Sequence, residues 1–152
     1  MSLYLTIRED MNAAQKEGGE SGKARLGVLR MLVAALQNEA IALRVKEQGL
    51  SDDQVIAVVR REVKRRRDAA QVYREHGEEE RARREEAENE ILAVYLPAAP
   101  SEEMIRAAIC EIIKGLPEQE RNVGRVMKEA MMRLKGADGS VVRTIVQQVL
   151  TP

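Results

Sequence analysis

The chain has 152 residues, of which 33% are charged, yet its formal net charge is +0, so no global field draws it to nucleic acid or to a membrane and any such contact has to be local. With no Phe, no Trp, three Tyr and seven Met, the core has to be built from Leu, Val, Ile, Ala and Met. No stretch alternates apolar and polar residues over strand length, and the pattern predicts an all-α protein.

In chain order, Leu3, Ile7, Met11 and Ala14 step at helical spacing between Ser2 and Glu17, with Arg8, Glu9 and Asp10 outward. Gly18, Gly19, Ser21 and Gly22 predict a turn. A second run from Lys23 to Lys46 carries Leu26, Leu29, Leu32, Val33, Leu36, Ala40 and Leu43, a stripe broad enough to pack on two neighbours, and Gly49 closes it.

A third helix is bounded at both ends. Ser51 and Gln54 stand at capping-box spacing inside a Leu50–Val55 staple, Asp52 and Asp53 suit the first-turn dipoles, and His76-Gly77 closes the far end. Its apolar stripe reads Ile56, Val59, Val63 and Ala70. Arg60, Lys64 and Arg67 flank one side, Arg66 the other, and Arg61 and Arg65 point away. The next helix, within Glu78 to Glu90, is acidic. From Arg60 to Glu90 the chain holds ten Arg or Lys and ten Asp or Glu, so a fold back at Gly77 lets the basic run meet the acidic one, in preference to an RNA-binding stripe.

Pro97 and Pro100 forbid continuous helix and divide the chain into a helical N-terminal domain over 1–96, a linker at 97–100 and a three-helix domain over 101–152. In the latter, Ser101 caps a helix with the stripe Ile105, Ile109, Ile112 and Ile113. A second starts at Asn122 with Val123, Val126, Met127, Ala130 and Leu134 inward. Asp138 caps the last, whose apolar face is Val142, Ile145, Val146, Val149 and Leu150.

Four segments in order resemble the YqeY family: Leu26 to Leu36 (LGVLRMLVAAL), Glu62 to Asp68 (EVKRRRD), Glu86 to Pro97 (EAENEILAVYLP) with Ser101 to Met104 after it, and Val123 to Leu150. The resemblance implies a helical N-terminal domain followed by a three-helix domain similar to the tail of the B subunit of the tRNA-dependent amidotransferase, where this part of the fold contacts tRNA. Any link to glutamine-dependent carbon–nitrogen ligase activity is implied by that kinship alone. Where the family commonly places a basic residue on either side of an alanine-aspartate-glycine turn, this chain runs Gly136, Ala137, Asp138, Gly139, Ser140.

Chemistry is sparse. Cys110 sits among Ala108, Ile109, Ile112 and Ile113 with no base at contact spacing, and reads as a packed thiol. His76, the single imidazole, serves a helix end. Neither GxxxxGK[ST] nor GxGxxG occurs, and no catalytic residue, metal ligand set or cofactor is expected. One cysteine excludes an internal disulfide, and neither a signal-peptide core nor an apolar run near the roughly 20 residues of a membrane span is read, so a cytoplasmic protein with no membrane contact is expected.

The remaining signal is Arg121, Arg125, Lys128, Arg133, Lys135 and Arg143 against Glu129 and Asp138, a local +4. These six are the RNA-contact candidates. The expected partner is structured RNA such as tRNA rather than DNA, with a protein partner docking on an apolar or Met-bearing helical face as the alternative.

Overall fold

The computed structural model describes residues 1–151, and among them the chain is all-α, with seven α-helices, two 3₁₀ turns and no strand. Two compact units are formed, Met1–Leu96 and a second that begins at Pro97.

In the first unit, α1 (Leu3–Glu17) starts at Ser2, whose hydroxyl accepts from the Leu5 N–H. The expected turn over Gly18 to Gly22 is shorter: Gly18 and Gly19, each at φ +66°, make the break, and α2 (Gly19–Leu43) runs on from there. Gly22 lies inside α2 because the helices pass closely; a Cβ there would lie 3.0 Å from the Ala14 carbonyl oxygen. At its other end α2 stops at Leu43, before Gly49, on Arg44 in the left-handed conformation, and a 3₁₀ turn (Glu47–Gly49) follows.

The α2 core face is Val28, Leu29, Leu32, Val33, Leu36 and Ala40, while Leu26 is half-buried and Leu43 exposed. Against the sequence expectation, α2 is by length and composition long and apolar enough to cross a membrane. Its Leu29, Leu32 and Leu36 are nevertheless fully enclosed at the centre of this unit's core, as in the core helix of a folded domain.

Helix α3 (Asp52–Glu75) has the capping box in place, with Gln54 N–H to Ser51 Oγ at 3.2 Å and Ser51 N–H to Gln54 Oε1 at 2.8 Å. Its buried face is rotated from the expected stripe. Val55, Val58, Val59 and Ala70 are buried while Ile56 and Val63 are only half-buried, and the middle of the face is polar, with Glu62 and Arg66 each 5% exposed. After Gly77 at φ +75° the chain reverses into α4 (Glu79–Ala93), which packs along α3.

Two phenols tie distant segments together: Tyr4 donates to Glu47 Oε2 at 2.5 Å and Tyr95 to Asp10 Oδ2 at 2.6 Å. Asp10 is therefore not the fully outward residue its spacing implied: it is half-buried and accepts the Tyr95 hydroxyl.

The second unit packs α5 (Glu102–Gly115), α6 (Val123–Arg133) and α7 (Gly139–Leu150) around Ile105, Ile109, Ile112, Val126, Ala130, Val142, Ile145 and Val146. Each helix begins on the side-chain cap its sequence offers, at Ser101, Asn122 and Asp138. A second 3₁₀ turn (Glu118–Glu120) follows Pro117.

Candidate functional site

The six basic residues of the second unit do not form one cluster. Arg121 ends the second 3₁₀ turn and its Nε donates to the Leu116 carbonyl at 3.1 Å. Arg125, in the first turn of α6, is held between Glu129 at 2.8 Å and Glu120 at 3.4 Å. Arg133 closes α6 and faces Glu111 of α5 at 3.7 Å. Lys128 is exposed on α6, and Arg143 on α7, each without an ion pair among the described residues, and Lys135 is exposed just beyond α6.

At helical spacing Arg125 and Lys128 stand about 60° apart around α6, but Arg133 lies roughly 140° from Lys128, on the α5 side. Proximity in sequence overstated the patch for a second reason as well. The residues that counter it, Glu111 and Glu120, lie outside 121–143 in sequence but beside it in space. Over the whole second unit eight basic side chains face seven acidic ones. At the turn before α7, Asp138 accepts from the Ser140 N–H at 2.8 Å and from the Ser140 hydroxyl at 2.5 Å, so Ser140 strengthens the cap where the family pattern has a cation.

In the first unit, α3 and α4 neutralise part of each other's charge. Arg66 donates through Nη1 to Glu62 Oε2 at 3.1 Å and through Nε to Glu88 Oε2 at 3.0 Å. Arg74 bridges Glu79 and Glu86, which holds the Glu86 carboxyl below the usual carboxylate range. Burial pushes Glu85 the other way, helped by the neighbouring Glu88 and opposed by Arg66.

Beside this hairpin runs an open groove of about 810 Å³, lined among others by Val63, Arg67, Ala70, Arg74, Glu86, Asn89 and Ala93. Sequence periodicity did not reveal it. Ala70 and Ala93 are too short to fill the space between the helices, and Asn89 turns in to donate to the Val63 carbonyl at 3.1 Å, leaving its Oδ1 buried and unpartnered.

Cys110 is a half-buried free thiol on α5, and the His76 Nδ1 lies 2.8 Å from the Val72 carbonyl at the end of α3. No group of three or more His, Cys, Asp or Glu among the described residues is placed to hold a metal ion.

Compared with known proteins, the chain matches over residues 5–150 a family model described as Yqey-like protein. No curated protein matches it.

Proposed function

The chain belongs to the YqeY family, and from that premise we propose that it is a non-catalytic accessory protein that binds structured RNA, such as tRNA, through exposed cations of its second unit. The observation that supports this is the exposure of Arg121, Lys128, Lys135 and Arg143 on α6, on α7 and on the two turns that flank α6. Arg125 and Arg133 contribute less, since each would have to leave a carboxylate to meet a phosphate. With no Phe or Trp and three Tyr, stacking on splayed bases has few platforms, so recognition rests on shape and phosphate contacts.

Four phosphate contacts correspond to an affinity fall of roughly a hundredfold between 50 and 200 mM salt. A tRNA titration at several salt concentrations reads this directly. Lys128→Glu with Arg143→Glu should weaken binding more than tenfold without unfolding the exposed positions they occupy. Unchanged affinity in that variant would remove the second unit from the interface.

A second reading, docking of a protein partner, is favoured by Met131 and Met132, which are 41% and 66% exposed on α6, with Met104 on α5 at 62%. Binding through that face would be nearly independent of salt and lost in Met131→Ser with Met132→Ser.

A further inference from the structure

Ion pairing with α4 accounts for only part of the basic run on α3, and what it omits is ordered. Arg66 and Arg74 are spent on Glu62, Glu88, Glu79 and Glu86, Arg65 on Glu62, and Arg61 on Glu39 of α2. Among the described residues Arg60, Lys64 and Arg67 make no ion pair, with Lys64 and Arg67 exposed and Arg60 half-buried. Their spacing of i, i+4 and i+7 puts all three within a sector of about 60° on one side of α3, over a length of about 10.5 Å. Asp68 follows Arg67 on α3, and Glu86 and Glu90 of α4 line the groove with Arg67; among the described residues none of the three pairs with the row. Within a unit of balanced charge, this row is an unneutralised linear array of cations.

We propose that the Arg60–Lys64–Arg67 row is a phosphate-binding surface for structured RNA in the first unit. This rests on the RNA-binding reading above and adds to it a contact surface independent of the second unit. A line of three cations with regular steps suits a polymer of regularly spaced phosphates better than a single carboxylate, and its three guanidinium or ammonium groups release counterions together. An anionic membrane is disfavoured as occupant. A helix lying on a bilayer buries an apolar face beside its cations, whereas Val72 is the one large apolar side chain of α3 that is mostly exposed.

The test is the salt dependence of tRNA binding by the full chain and by three variants of it. Arg60→Gln/Lys64→Gln/Arg67→Gln removes the row; Arg61→Gln/Arg65→Gln/Arg83→Gln removes the same charge from paired positions; Lys128→Gln/Arg143→Gln removes cations of the second unit. Circular dichroism and the thermal midpoint establish that each stays folded. Loss of the row should reduce the magnitude of the log Kobs against log salt slope by about two to three, and the paired-position control should change it by less than about one.

If the parent binds and the row variant keeps the parent slope while Lys128→Gln/Arg143→Gln lowers it, the row is not an RNA contact and the second-unit reading stands alone. Equal losses in the row and control variants overturn the row as well, since net charge then explains the effect. If polyglutamate is bound as tightly as tRNA and with the same loss in the row variant, the occupant is an acidic polypeptide and the RNA assignment fails. Absence of tRNA binding by the parent at low salt ends both readings together.

Discussion

At the scale of single residues, Arg66 is a buried cation that touches three helices of the first unit. It is 5% exposed, and it joins Glu62 on its own helix to Glu88 on the next while its Nη2 lies 3.9 Å from Met31 Sδ of α2. Arg66→Ala leaves buried Glu62 with only a 3.6 Å contact to the exposed Arg65 and is expected to cost about 3–5 kcal/mol, whereas Arg66→Met with Glu62→Leu, which removes both charges from the core face, should be near neutral or stabilising. Urea denaturation of the two variants checks this, and similar midpoints for both would refute the burial cost assigned to Glu62. Tyr4 and Tyr95 give a pH dependence. Burial, then the hydrogen bond to Glu47 or Asp10, raises each phenol above its ordinary value. A raised folded-state value favours the protonated fold, so this stabilisation is complete below the ordinary phenol pKa of about 10 and is lost as pH climbs through the folded values. Phenolate absorbance followed to high pH should therefore show ionisation of these two accompanying unfolding, and Tyr95→Phe should remove its share of that step.

At the scale of helices, the α1–α2 crossing sets a difference between two glycines of one helix. Gly27 has open space around its Cβ position, so Gly27→Ala should stabilise by about 0.5–1 kcal/mol through helix propensity. At Gly22 the same substitution meets the Ala14 carbonyl and the Glu17 side chain, and Gly22→Val is expected to cost about 1–3 kcal/mol as an overpacked contact. Thermal melts that rank the two alike would mean α1 and α2 are not held at this distance. On α7, Ile145 is 3% exposed in a core of nine buried residues, and Ile145→Ala should cost about 2–5 kcal/mol. Arg81, exposed on α4 and stacked 5.8 Å from the Tyr73 ring centre, should change stability by less than about 1 kcal/mol when replaced by Ala.

At the scale of the whole chain, each unit owns a separate apolar core, and Pro97 to Pro100 between them forms no helix. Limited proteolysis is expected to cut first at Ala98 or Ala99, both exposed, and fragments 1–96 and 101–152 should each fold when expressed alone. Two unfolded fragments would show that the cores depend on each other.

Sequence by itself determined what depends on neighbours along the chain. Helical period, the caps at Ser51, Ser101, Asn122 and Asp138, the reversal at Gly77 and the proline break are local, and four ordered segments carried the family resemblance that the match over residues 5–150 supports. Tertiary structure decided what depends on residues far apart in the chain. A stripe read as Ile56, Val59 and Val63 turned to bury Glu62 and Arg66, because Glu88, 22 residues beyond Arg66, is there to satisfy the guanidinium. The +4 of 121–143 shrank because Glu111 and Glu120 fold against it, and the α3 run separated into cations held by carboxylates and the row of Arg60, Lys64 and Arg67, which no described carboxylate holds. Charge counted along a chain ignores distance in space, and Coulomb interactions at a surface are decided within a few ångströms.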